Sequence, residues 1–161
     1  MTETVHVRLA GPDDAGAIAA FNRAMARETE NRDLAEEVIL AGVRAVLADS
    51  DRGFYVVAES DGVVVGSLLV TFEWSDWRNA VFWWIQSVYV LPEYRRRGVF
   101  RALFRFLRER ATEKGGVCGF RLYVERDNET ARQTYEALGM SETPYRIYEA
   151  EWRQRSEPSD E

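Results

Sequence analysis

Val88-Tyr89-Val90-Leu91-Pro92-Glu93-Tyr94-Arg95-Arg96-Arg97-Gly98-Val99-Phe100-Arg101-Ala102-Leu103 reads as the end of a buried strand, a turn, and the start of a helix. The strand reaches back to Ala80, and residues 80–91 are almost wholly apolar or aromatic, the pattern of a strand covered on both faces. Pro92 ends it. From Gly98 onward, Val99, Leu103, Phe106, Leu107 and Ala111 recur at helical spacing, and Gly115-Gly116 stop the run. Val117 to Val124 follows as another strand. A strand–helix–strand unit of this kind places its strands parallel with a right-handed crossover. Ligands then favour the carboxyl ends of those strands.

Working outward, residues 4–9 alternate like a first strand, and Pro12-Asp13-Asp14 opens a helix that carries Ile18, Phe21 and Met25. A second helix is expected from Leu34 to Leu47, with the charged run Glu28 to Asp33 as an exposed connection. Phe54 to Glu59 and Val63 to Phe72 flank the hairpin turn Ser60-Asp61-Gly62. Beyond the central unit, a helix from about Asn128 to Leu138 is closed by Gly139, and Tyr145 to Trp152 alternates like a last strand. Arg153 to Glu161 reads as a polar, disordered tail. The order β-α-α-β-β-β-α-β-α-β is that of one mixed α/β domain over residues 1–152.

The 161 residues, 46% hydrophobic and 30% charged, suit one globular domain with an ordinary core. No apolar run approaches the roughly 18 residues of a membrane span. The start Met1-Thr2-Glu3-Thr4 lacks the features of a secretion signal, so a cytoplasmic location is the expectation. A single cysteine, Cys118, and a single histidine, His6, leave no route to a disulfide or a cysteine- or histidine-rich metal site. His6 reads as a solvated strand residue and Cys118 as a small buried hydrophobe. Most nucleophile–histidine chemistry is thereby excluded. The net charge of −6 argues against nucleic acid as a partner. The basic residues are nonetheless uneven, with seven of the 21 between Arg95 and Arg110.

Three arginines at a helix start put like polarities together, because the first backbone N–H groups have no internal acceptor and carry partial positive charge. A multi-oxygen anion would relieve that conflict by accepting those N–H bonds and pairing with guanidinium groups. Gly98 lets a backbone approach it closely. A solvated basic turn that merely caps the helix is the other reading. No Gly-Lys-Ser/Thr follows, so the turn is not a nucleotide P-loop, and it lacks the three spaced glycines of a dinucleotide site.

Residues 95–100 resemble the coenzyme A signature Gln/Arg-x-x-Gly-x-Gly/Ala of the GNAT superfamily of N-acetyltransferases. Arg95 and Gly98 match it, and Phe100 stands where a small residue is usual. Tyr123 to Met140 is similar to that family's second signature, in which a strand leads to an asparagine and the next helix carries Ala131, Tyr135 and a closing Gly139-Met140. The resemblance spans about residues 4 to 152. It implies a GNAT-like acyl-CoA N-acyltransferase fold, a central mixed sheet of about six to seven strands flanked by about four helices.

It also implies roles. Acetyl-CoA is the expected co-substrate, with no metal. Its pyrophosphate would lie on Arg95, Arg96, Arg97, Gly98, Val99, Phe100 and Arg101, and its pantetheine arm on backbone groups of Val88, Tyr89 and Val90. Those groups are expected to be free because strand 80–90 would splay from strand 117–124. Tyr135 is the expected general acid. Asn128 contacts the cofactor or caps its helix. Residues 80–91 contain no Asp or Glu, so Glu73 is the candidate base, with Asp76 the alternative, both read in an exposed turn. With Trp74, Trp77, Trp83 and Trp84 they suggest an aromatic, anionic pocket for the amine of a small molecule or peptide, or else core and dimer contacts. A homodimer is common among such proteins. The missing strand carboxylate and Phe100 leave open a coenzyme A-binding regulatory module without catalysis. A structural domain with an accidental arginine turn is a third possibility.

Overall fold

The computed structural model describes residues 4–152, so the expected tail 153–161 lies outside the described residues. The chain divides into two compact units after Val124. The first holds β1 (His6–Leu9), a 3-10 turn over Pro12–Asp14, α1 (Ala15–Glu30), α2 (Glu36–Ala48), β2 (Phe54–Ser60), β3 (Val63–Ser75), β4 (Ala80–Val90), a 3-10 turn over Pro92–Tyr94, α3 (Val99–Lys114) and β5 (Val117–Arg121). The sheet runs in the order β1-β2-β3-β4-β5. All neighbours are antiparallel except β4 and β5, the parallel pair expected of a strand–helix–strand crossover.

Alternation along the strands sorts side chains into two layers. Tyr55 and Val57 of β2 face α1 and α2, where they pack with Ala15, Ile18, Ala19 and Val43. On the opposite face, the Phe54 ring meets Trp83 edge-on at 5.1 Å, Trp83 stacks on Phe120 at 6.0 Å, and Phe120 meets Phe104 of α3 at 5.5 Å. Val99, Leu103, Phe104 and Leu107 give α3 its buried stripe.

Arg8 joins β1, β2 and the first 3-10 turn. Its guanidinium donates to both oxygens of Asp14 at 2.8 and 2.9 Å and to Glu59 at 2.6 Å, while Gly11 N–H donates to Asp14 at 2.7 Å. Asp14 is buried, and the Arg8 bond holds its carboxyl below the usual carboxylate range. A depressed native value means stability present above the ordinary carboxyl pKa of about 3.9 and lost as pH falls through the native value. Asp14→Asn is therefore expected to cost about 2 kcal/mol at pH 7, less than a fully broken buried pair because Arg8 keeps Glu59. Urea titrations from pH 7 down to 3 should show the gap to wild type closing at the acid end.

The second unit contains α4 (Glu129–Ala137). Asn128 caps it by accepting from Ala131 N–H at 3.2 Å. Gly139, at φ 89°, closes it: Gly139 N–H donates to Glu136 O and Met140 N–H to Tyr135 O, both at 3.0 Å, the two bonds of a Schellman end.

Four expectations change. The sheet has five strands, not six to seven, because residues 145–152 pair with no strand among the described residues and alternation alone supplies no ladder. Helix α1 runs on to Glu30, so Glu28 is helical and not part of a connecting loop; Asn31, left-handed at φ 50°, ends the helix. The strand expected from Val117 to Val124 stops at Arg121. Cys118 is exposed: Val81 pairs with Val117 but Phe82 with Gly119, so Cys118 is an extra residue bulged from an edge strand.

Candidate active site

The strand leading into the turn is irregular where it matters. On β3, Ser67 pairs with Tyr89 and Leu69 with Gln86, so three steps on β4 oppose two on β3. The inserted residue lies at Ser87–Val88, and Ser87 takes φ 52°, unusual for a residue with a side chain. On its other side, β4 pairs with β5 only from Val81 to Trp84. From Ile85 to Val90 it has no β5 partner among the described residues, because β5 ends at Arg121.

Two bonds lead the chain out of the sheet: Leu91 N–H donates to Val65 O at 2.8 Å, and Tyr94 N–H to Leu91 O at 2.9 Å. Arg96 (φ 63°) and Gly98 (φ 78°, ψ 14°) are left-handed, which folds the chain sharply into α3. The first bond of that helix is Ala102 N–H to Gly98 O at 3.0 Å, and its N-cap position makes no side-chain cap bond. Gly66 underlies this corner: a Cβ there would meet Tyr89 O and Val99 Cγ1, each at 3.2 Å. Buried Val99 thereby seats the helix start directly on the sheet.

The arginines do different things. Arg95 turns back on the protein: its Nε donates to Val90 O at 2.9 Å and its Nη2 to Glu28 of α1 at 2.8 Å, with the guanidinium 5.3 Å from the Tyr89 ring. Tyr89 OH donates to the other oxygen of Glu28 at 3.0 Å. The Arg95 bond holds the Glu28 carboxyl below its ordinary range, and burial pushes the Tyr89 hydroxyl up. Arg97 lies 5.7 Å from the Tyr94 ring, and Arg96 and Arg101 are exposed. Phe100 packs toward Phe104, ring centroids 6.3 Å apart, so its bulk is directed along the helix.

Glu73 is not in a turn. It lies on β3 opposite Phe82, on the face shared with Trp84 and Gln86. Arg121 of β5 donates to its carboxylate and lies 3.7 Å from the Phe82 ring. Gln86 donates to Thr71 on the same face, and Trp84 meets Tyr123 at 5.2 Å. Asp76 is in the β3–β4 turn, accepting from Trp77 N–H at 2.9 Å. The four tryptophans do not form one pocket. Trp83 is buried on the α3 face, Trp74 lies on that same face, Trp84 is on the other, and Trp77 is 89% exposed at the hairpin tip.

In the second unit, Asn128 is the α4 cap and Tyr135 sits half-buried on that helix; burial pushes its hydroxyl above the ordinary phenol value. No sequence motif marks Glu28 or Arg121 as candidates for the site. Glu28 lies 67 positions from Arg95 and Arg121 lies 48 from Glu73, with no local pattern linking either pair.

Comparison with known proteins points the same way. A "possible acetyltransferase" from Clostridium difficile 630 is 44% identical, with 94% of this chain and 100% of that one aligned at a TM-score of 0.86. Ribosomal-protein-alanine N-acetyltransferase from Brucella melitensis biovar Abortus 2308 shares the fold at 19% identity, covering 93% of this chain and 100% of that one, TM-score 0.75. An aminoglycoside N-acetyltransferase solved in complex with CoA shares it at 21% identity, covering 95% and 96%, TM-score 0.69. The family model for the GNAT acetyltransferases matches residues 18–140, which include the irregular strand, the arginine turn and α4. The chain belongs to the acetyltransferase (GNAT) family.

Proposed function

We propose that the chain moves an acetyl group from acetyl-CoA directly to a primary amine of a small molecule or peptide. The observation that carries this is the start of α3, whose N-cap is the left-handed Gly98, reached from a strand whose last residues have no β5 partner among the described residues. A diphosphate fits there. Backbone N–H groups of the first helical turn, from Val99, Phe100 and Arg101, would donate to its oxygens alongside the helix dipole, and the cations of Arg95, Arg96 and Arg97 would surround it.

The extended pantetheine arm then runs along β4 past Val88, Tyr89 and Val90, adding to a strand edge as a peptide does. Val90 O is already taken by Arg95, so the groups of Val88 and Tyr89 carry most of that contact. A backbone N–H on this edge polarises the thioester carbonyl. The amine nitrogen attacks the carbonyl carbon, the C–S bond breaks, and the amide forms without a covalent enzyme intermediate. Tyr135 gives a proton to the departing sulfur. Glu73, fixed on its sheet face by Arg121, takes the proton lost by the amine, directly or through water. Asn128 keeps its capping oxygen on Ala131, which leaves its amide NH₂ for the cofactor.

Thiol release from acetyl-CoA, followed across a panel of primary amines, tests the proposal. Turnover with at least one amine class is the expected result. Stabilisation by coenzyme A at saturating concentration with no turnover on any amine would leave a regulatory binding module instead. Absence of any rise in melting temperature would refute coenzyme A binding altogether.

A further inference from the structure

We propose that Glu28, in the last turn of α1, is the positioning residue of the phosphate-binding turn and acts through Arg95. The inference rests on reading that turn as the coenzyme A site. Its geometry is a relay from a buried anchor to an exposed loop. Tyr89 is buried, with its ring 5.3 Å from Phe21 of α1, and its hydroxyl fixes one oxygen of Glu28. The other oxygen of Glu28 holds Arg95 Nη2, and Arg95 Nε holds the carbonyl of Val90, the last residue of β4. One guanidinium thus ties together the end of a strand, the end of a helix and the first residue of the Arg95–Gly98 turn.

Magnitudes decide what the tie is for. The Arg95 and Glu28 side chains are 45% and 41% exposed, and an ion pair that open contributes roughly 0–1 kcal/mol to folding. Stability is a poor explanation for a contact so fully bonded. The turn it anchors is another matter, since Arg96, a residue with a side chain, holds left-handed backbone at φ 63°. A non-glycine residue in that conformation persists only where the surroundings fix it. With the tie gone, the competent turn becomes one conformer among several, and ligand affinity falls by the fraction that remains competent. Arg95 is then a brace for the anion site more than a ligand in it, and Glu28 sets the brace.

The opposite sign is physically reasonable, which makes the test decisive. Glu28 is a carboxylate near a site for an anion, and removing it raises the local positive potential. Coenzyme A affinity should be measured by titration calorimetry on wild type, Glu28→Ala, Glu28→Gln, Glu28→Asp, Arg95→Ala and the Glu28→Ala/Arg95→Ala double variant. Ligand-free melting temperatures are recorded alongside. Glu28→Ala and Arg95→Ala should each weaken binding about tenfold, and the double variant no more than either alone. Glu28→Asp should recover most of the loss, and melting temperatures should move by no more than about 3 °C. If Glu28→Ala cannot be purified folded, Glu28→Gln replaces it in the cycle, since it retains an oxygen for Tyr89. Unchanged or tighter binding on loss of Glu28, or losses that multiply in the double variant, overturn the positioning role. Wild-type protein that does not bind coenzyme A sinks the reading of the turn itself, a result distinct from tight wild-type binding indifferent to residue 28.

Discussion

Tyr135→Phe is expected to lower kcat about 100-fold or more while the dissociation constant for coenzyme A holds. The substitution removes one oxygen and leaves the ring. The backbone end of α4 is also untouched, because Tyr135 contributes its carbonyl, not its hydroxyl, to the bond from Met140 N–H. On the proposed mechanism, what disappears is the proton for the leaving thiolate. Burial raises the Tyr135 hydroxyl above the ordinary phenol pKa of about 10, so the acid form persists through neutral and mildly alkaline pH. The sign is then fixed: a kcat profile limited by this group stays level through pH 8 and falls only beyond about 10. Steady-state rates with a productive amine, paired with calorimetry on the same variant, read both halves. Turnover at the wild-type level in the phenylalanine variant would remove Tyr135 from the mechanism.

Trp83→Ala should be the most damaging single change to the fold, at about 4 kcal/mol. The indole is 1% exposed and joins two strands on one face of the sheet, edge-on from Phe54 of β2 and stacked on Phe120 of β5. Truncation leaves a cavity under the only parallel strand pair of the described sheet, walled by rings that cannot collapse without moving β2, β5 or α3. In a chain of this size, that loss lowers Tm by roughly 10 °C. Denaturant unfolding checks it directly, and a cost below about 1 kcal/mol would mean that Trp83 is not the keystone the ring geometry describes.

The central strand–turn–helix was legible because its signals are local. Apolar residues on consecutive positions mean burial on both faces, Pro92 and Gly98 bracket the turn, and the α3 stripe has its own period. The bounds of β4 and α3 follow the pattern closely. The candidate site was legible only where it coincides with that segment. Glu28 looked like loop because charge density marks solvent, not backbone conformation; its helix and its bond to Arg95 depend on partners far along the chain. Cys118 looked buried because alternation cannot foresee an inserted residue. The tryptophan pocket failed for a reason the sequence did contain: Trp83 and Trp84 are consecutive on one strand and must point to opposite faces.

The inserted residue of β4 has a consequence for how one strand can serve two masters. Before Ser87 the even positions Phe82, Trp84 and Gln86 look toward the α1 side; after it, odd-numbered Tyr89 does. The insertion is a phase change in the strand's alternation. Without it, Tyr89 would project into the aromatic layer under α3, out of reach of Glu28, and the loop that follows would leave the sheet facing the wrong way. A single unpaired residue therefore decouples the half of β4 that builds the core from the half that serves chemistry, so each can change its side chains without forcing the other to follow.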